Sequence, residues 1–206
     1  PNILQYPVCL FGTLRAGAVV VNTNPLYTPT ELEHQLADSG AETIVIAENF
    51  AHTLQKALPQ TAIKNIVVTS VGEMLGGVKG LVTDLVVRHV KKLIPAWSLP
   101  RHVRLKAVLA KGRRLRHTPV PLTHADLALL QYTGGTTGVA KGAMLTHGNM
   151  VSNLCQAHAW VKPYLDGENE CIVTALPLYH IFALTANCLT FMKLGAKNLL
   201  IINARD

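Results

Sequence analysis

Metal and disulfide chemistry is what this sequence lacks first. Its four cysteines, Cys9, Cys155, Cys171 and Cys188, are widely spaced, with no Cys-x-x-Cys pair. That spacing argues against a zinc site or a disulfide framework and fits reduced thiols in a cytosolic protein, each expected to be a buried structural residue. The nine histidines show no metal-ligand spacing either, so no metal ligand is assigned. Aromatic side chains are scarce, at 5%, and Trp97 stands alone in the most basic stretch. No nucleic-acid-binding motif accompanies that stretch, and a nucleic-acid partner is not expected. Long apolar runs are also missing, with one exception to weigh. Cys171–Met192 carries no Asp, Glu, Lys or Arg across 22 residues, enough to span a bilayer by count. Pro177 divides it, however, and Tyr179, His180, Thr185 and Asn187 interrupt the apolar surface. It reads as a buried strand, a turn and a core helix from about Ile181 to Met192, and no membrane span is expected.

What is present is the composition of a globular chain. Hydrophobic residues make up 49% and charged residues 15% of 206 positions, enough to bury a sizeable core. Short Val/Ile-rich runs alternate with helical patterns. Ile3–Ala16 is helix-like and stops at Gly17, a natural residue for the left-handed turn after a helix, and Ala18–Val21 reads as a strand. Thr28, Pro29 and Glu31 form a capping box with a first-turn proline for a helix running to Ser39 and closed by Gly40. Strands follow at Thr43–Ala47 and Ile66–Val68, with a helix over His52–Leu58 between them. Later come a helix capped by Thr146 and running to about Val161, a strand from Ile172 and a strand over Asn198–Ile202. The expected class is α/β, with layered, mostly parallel sheets flanked by helices.

Charge is unevenly spread. The chain carries a net +7, yet Leu85–Ala125 alone holds ten Lys/Arg and no Asp or Glu. Ahead of and inside this block, Met74, Leu75, Val78, Leu81, Val82, Leu85, Val86, Val90, Leu93 and Ile94 recur at helical spacing. Lys79, Arg88, Lys91 and Lys92 fall mainly outside that stripe, and Trp97 lies just beyond it. Two readings stay open: an amphipathic helix lying on anionic lipid through residues 74–117, or a helix packed on its own domain with a solvated basic face. A phosphate-bearing small molecule is a further candidate partner for this charge. Arg101–His117 shows no clear periodicity and is expected to be an irregular excursion.

The densest chemical signal is Tyr132–Gly142, where four glycines, three threonines and one lysine fall within eleven residues. Glycine permits positive φ and close backbone approach, and successive N–H groups form a nest for an anion. Threonine hydroxyls and the Lys141 ammonium suit a phosphate. The spacing Gly135-x-x-Gly138-x-x-Lys141 is not that of a Walker A loop, because Ala140 precedes the lysine and Gly142 follows it. Strand-like residues 128–132 and 142–145 flank the loop, so no helix dipole stands directly behind it and the hydroxyls and Lys141 carry more of the stabilisation.

Tyr132–Asn149 resembles the signature loop of the adenylate-forming enzymes, which include acyl-CoA synthetases, luciferases and peptide-synthetase adenylation domains. Leu176-Pro-Leu-Tyr-His-Ile-Phe182 resembles the family's next motif, and Asn22–His34 and Asn49–Leu54 resemble bacterial long-chain fatty acid–CoA ligases in particular. The likeness covers nearly the whole chain. It implies that Tyr132, Thr133, Gly134, Gly135, Thr136, Thr137, Gly138, Val139, Ala140, Lys141, Gly142 and Ala143 hold ATP, with Lys141 assisting catalysis. It also implies that His180 orients the fatty carboxylate and that Tyr179, Phe182 and Leu184 line the acyl site. ATP and CoA are the implied co-substrates, with Mg²⁺ accompanying the nucleotide. The implied location is cytoplasmic, with the inner face of the cell membrane and a homodimer left open. By the same resemblance, residues 1–72, 73–125 and 126–206 would be portions of a large N-terminal domain whose parent is more than twice as long, with its C-terminal domain absent here. The isolated chain is therefore expected to be inactive. An adenylate-forming enzyme for another acid, and a non-catalytic nucleotide- or membrane-binding module, remain as alternatives.

Overall fold

A computed structural model of the chain describes residues 1–133 and 140–202. In order, the elements begin with α1 (Gln5–Arg15), β1 (Val20–Asn22), α2 (Pro29–Ser39), β2 (Thr43–Ala47) and α3 (Ala51–Ala57). Next come β3 (Asn65–Thr69), α4 (Gly77–Leu85), β4 (Val103–Arg104), α5 (Leu105–Gly112) and β5 (Leu127–Thr133). The last are β6 (Lys141–Thr146), α6 (His147–Val161), β7 (Cys171–Thr174), α7 (Thr190–Leu194) and β8 (Lys197–Leu200). All strand pairs described are parallel except β5–β6, as the α/β reading anticipates.

The chain forms two compact units, one of residues 23–118 and one joining 1–22 to 119–206. These boundaries differ from divisions at 72 and 125, for a topological reason. β1 pairs with β5, Val20 opposite Leu129, so the first helix and strand belong with residues 119–206.

In the unit of residues 23–118, β2, β3 and β4 form a parallel sheet. Leu32, Leu36, Leu54, Ile66, Val68 and Leu99 are buried together beside it. The capping box of α2 is formed as expected: Thr28 accepts from the Glu31 amide, and the Glu31 carboxylate accepts from the Thr28 amide at 2.7 Å. Gly40 closes the helix at φ 63°, a conformation that favours glycine. The basic excursion is more ordered than its sequence suggests. Val103 and Arg104 pair with Val67 and Val68, and α5 follows. Glu73 accepts from the amide of Lys106 at 2.9 Å, satisfying a free N–H at the start of α5 from 33 positions upstream. No local pattern announces that cap.

The apolar stripe at residues 74–94 turns outward. α4 starts after Gly76, at φ 76°, and passes into a π-helical turn over Val86–Val90. Lys92, at φ 51°, ends it. Its inward face is small and polar. A Cβ on Gly80 would stand 2.4 Å from the carbonyl oxygen of Gly72, so only glycine permits this approach. Asp84 accepts from the Gly72 amide at 2.7 Å and from the Ser70 hydroxyl at 2.6 Å. Arg88 reaches the buried Glu48 at 2.7 Å, and Arg104 reaches the same oxygen at 3.2 Å. With residues 80, 84 and 88 facing the body, Val78, Leu81 and Val90 are left 77%, 63% and 73% exposed. Packing of the stripe on its own unit is not what this helix does.

In the other unit, β5 lies between β1 and β6, while β7 pairs with β8. Leu10, Ala128, Leu129, Leu178, Leu184 and Cys188 are buried together. Thr146 caps α6 as expected, and the structure adds a reciprocal box with Asn149 that was not anticipated. The anticipated core helix from Ile181 is mostly a π-helical turn, Ala183–Leu189, before α7. Hydroxyls compete with the backbone ladder there: Thr185 donates to the Ile181 carbonyl and Thr190 to the Thr185 carbonyl. Only one of the four cysteines matches the expected burial. Cys188 is buried, Cys9 is half-buried, and Cys155 and Cys171 are exposed. Cys155 lies on α6, none of whose residues is fully buried, so the position offers no core site for a small apolar thiol. Among the described residues, no helix is long and apolar enough to cross a membrane.

Candidate functional site

The strand pair β5–β6 supplies the frame. β5 ends at Thr133 and β6 starts at Lys141, and these two residues are register partners on facing strands. The strand–loop–strand setting is therefore present at both shoulders of the glycine-rich segment. Tyr132 is buried, while Thr133, Lys141 and Ala143 are exposed and Ala140 and Gly142 are half-buried. Gly134, Gly135, Thr136, Thr137, Gly138 and Val139 lie outside the described residues. An exposed hydroxyl and an exposed ammonium side by side form a donor set that suits phosphate oxygens.

The second segment follows β7. Its turn is fastened by the buried side chain of Asn2, which donates to the carbonyls of Thr174 and Leu176 at 2.9 Å each. The amide of Leu178 donates back to Asn2 Oδ1 at 2.9 Å. Tyr179 is half-buried, and burial raises its phenol above the ordinary value. His180 is exposed, and its Nδ1 accepts from the Phe182 amide at 3.3 Å. In the neutral ring this leaves the proton on Nε2, a donor suited to a carboxylate. Phe182 is exposed, whereas Leu184 is fully buried in the core. Leu184 thus sits behind the exposed residues rather than beside them.

Gln131 joins the two segments. Its side-chain Nε2 donates to the Tyr179 carbonyl at 3.2 Å, and its Oε1 accepts from Asn22 Nδ2 at 3.1 Å. Sequence reasoning singled out none of Asn2, Asn22 and Gln131 as site residues. The available signal was a glutamine inside the apolar run Leu127–Tyr132, since a buried amide requires partners. No group of three or more His, Cys, Asp or Glu side chains among the described residues could hold a metal ion. A cleft of about 530 Å³ lies among His158, Lys162, Asp166, Glu168 and Lys193, and includes neither Lys141 nor His180.

The AMP-binding enzyme family matches residues 1–206. The chain belongs to the AMP-binding enzymes. It is 57% identical over 206 residues to a long-chain-fatty-acid–CoA ligase of Escherichia coli, and spans 37% of that protein. A ligase of the same description from Haemophilus influenzae is 50% identical over 208 residues, with the same 37% share. Among solved structures, a long-chain-fatty-acid-CoA ligase from Archaeoglobus fulgidus aligns with a TM-score of 0.63 at 26% identity, covering 96% of this chain and 33% of that one. A red-emitting luciferase from Phrixothrix hirtus aligns at 0.72 with 14% identity, covering 98% and 35%, and shows the shared fold alone. In this AMP-binding chain, the two motifs picked out by resemblance meet through a buried side chain of β5.

Proposed function

We propose that the protein to which this chain belongs activates long-chain fatty acids with ATP and passes them to CoA. The observation that carries the reading is the meeting of Thr133 and Lys141 at the loop shoulders with Tyr179 and His180 through Gln131. A fatty carboxylate is a poor acyl donor, because displacement would have to expel oxide. In the first step a carboxylate oxygen attacks the α-phosphorus of ATP, the bond from that phosphorus to the bridging oxygen breaks, and pyrophosphate leaves. The CoA sulfur then attacks the acyl carbon, the acyl–oxygen bond breaks, AMP leaves and the thiol proton passes to solvent.

The first step needs alignment and neutralised phosphoryl oxygens. In this reading the loop from Tyr132 to Ala143 holds the phosphates, and Lys141 offsets charge as pyrophosphate departs. His180 Nε2–H orients the carboxylate, Tyr179 and Phe182 border the acyl chain, and Leu184 supports them from the core. Mg²⁺ accompanies the nucleotide, and no side chain of the described residues is assigned to it. Residues 1–206 form part of a large N-terminal domain, with further domains supplied by the rest of the protein.

Pyrophosphate exchange by the full-length protein, supplied with long-chain, aromatic and amino acids in turn, tests this reading. Exchange with long-chain acids that Lys141→Ala slows severely is expected. Exchange with another acid class, or equal rates in the variant, overturns it. The 206-residue chain alone should form no acyl-CoA from ATP, CoA and fatty acid.

The outward stripe of α4 favours a second role for the same protein, peripheral contact with anionic lipid at the inner face of the cell membrane. Lys79, Lys91 and Lys92 are exposed near Val78, Leu81 and Val90, and each basic residue at such a surface contributes about 1 kcal/mol. Sedimentation of the full-length protein with vesicles should require anionic lipid. Equal sedimentation with neutral vesicles excludes this charge-dependent contact.

A further inference from the structure

We infer that Gln131 is a positioning residue for adenylation, holding the Tyr179–His180 peptide in register with the strand that enters the phosphate loop. The inference rests on the adenylation reading. Its basis is a four-member hydrogen-bond relay whose direction is forced from one end.

A backbone carbonyl only accepts, so the group 3.2 Å from the Tyr179 oxygen must be the Gln131 amide nitrogen. That turns Gln131 Oε1 toward Asn22, which must donate through Nδ2 at 3.1 Å. Asn22 Oδ1 then faces Tyr6, whose hydroxyl must donate at 2.8 Å. Every orientation follows from the Tyr179 carbonyl, and none is left to choice. Burial raises the Tyr6 phenol far above its ordinary value, so this last donor keeps its proton throughout the working range.

The relay crosses α1, β1 and β5 and ends on the turn after β7. Gln131 is 6% exposed and opposes Asn22 in the β1–β5 register. Two residues beyond it, Thr133 opens the phosphate loop. The peptide it holds is fixed from both sides, because the amide of His180 donates to the Pro177 carbonyl at 2.9 Å. With its carbonyl and amide both engaged, that peptide plane is held, which fixes the backbone position from which the His180 side chain departs. Gln131 touches neither reactant in this account; it sets the separation between the group that orients the carboxylate and the loop that holds the phosphates.

Gln131→Glu keeps the shape and the acceptor toward Asn22, but an ionised carboxylate cannot donate to the Tyr179 carbonyl. In the full-length protein this variant should lower kcat for fatty-acid-dependent pyrophosphate exchange about 30-fold at pH 8, since misplacement of about 1 Å can cost about 100-fold. KM for ATP should change little. Activity relative to wild type should recover as the pH falls, because the protonated carboxyl regains a donor. Asn22→Asp provides the second variant: it removes the donor toward Gln131 Oε1 and should give the same kcat loss from one residue further away. A structural role alone would lower kcat only in step with unfolding, so that both recover together at low pH, whereas a positioning role lowers kcat at temperatures where melting curves show both variants fully folded. Wild-type exchange with both folded variants unchanged overturns the inference while sparing the adenylation reading. No fatty-acid-dependent exchange by wild type overturns both.

Discussion

The ring of Tyr132 lies against Gly142 across the β5–β6 pair: a Cβ on Gly142 would stand 3.0 Å from Cε2 and Cζ of Tyr132. A methyl group here would be tighter against the ring than ordinary van der Waals contact, so the ring must give by a few tenths of an ångström. Gly142→Ala pushes the buried ring aside and disturbs Thr133, the next residue, at the mouth of the loop. The expected outcome is a fall of about 10-fold in pyrophosphate exchange by the full-length protein, with a stability loss of about 1–2 kcal/mol. Parallel exchange assays and thermal melts check it, and an unchanged exchange rate removes Tyr132 from the site.

Features that local sequence determines were legible, and those set by distant contacts were not. Thr28 with Glu31 is a capping pair three residues apart, and Thr146 is a typical N-cap residue, so both helix starts were readable, although Asn149 as the partner of Thr146 was not singled out. The outward face of α4 was not, because hydrophobic periodicity reports a stripe and not its direction. That direction is decided by Gly72 against Gly80 and by Glu48 with Arg88, eight and 40 positions apart. α5 escaped for a similar reason, since Glu73 caps it from another segment. At the site, Lys141 and His180 were marked by motif. Gln131 was hidden, because its function depends on strand pairing with Asn22 across 109 positions.

Glu48 has a side chain only 2% exposed, and both its arginine partners bond the same oxygen. Removing Arg88 leaves this buried carboxylate with Arg104 at 3.2 Å as the remaining ion-pair partner among the described residues. Breaking a fully buried pair costs about 3–5 kcal/mol. Because Arg88 is 45% exposed and one partner remains, a loss of about 2 kcal/mol is expected for Arg88→Ala. Urea titration of the wild type and variant measures it. A loss below about 0.5 kcal/mol would reduce the pair to an ordinary surface contact.

Val78, Leu81 and Val90 are largely exposed and take no part in the buried core of their own unit. Replacing all three with serine should leave the melting temperature nearly unchanged, since exposed substitutions stay within about 0.5 kcal/mol each. The same variant should lose most of its sedimentation with anionic vesicles while keeping its exchange activity on soluble substrate. A large drop in melting temperature would show that this face packs within the full-length protein, and would withdraw it as a lipid surface.

Glu31 supplies the pH dependence. Hydrogen bonds from the Thr28 amide, and then from its hydroxyl, hold this exposed carboxyl below its ordinary value. A group whose pKa is lower in the folded protein binds its proton more readily when unfolded. Its contribution is therefore complete above the unfolded value and disappears as pH falls through the folded one. Gln at this position still accepts from the Thr28 amide, so Glu31→Gln removes the charge and retains the shape of the box. The melting temperatures of wild type and variant should differ most near neutrality. The gap should close as pH falls below about 4.3, the usual glutamate value. Equal melting temperatures across the whole range would show that the capping charge contributes nothing to stability. A gap that widens on acidification would reverse the sign and place the stabilisation in the protonated form.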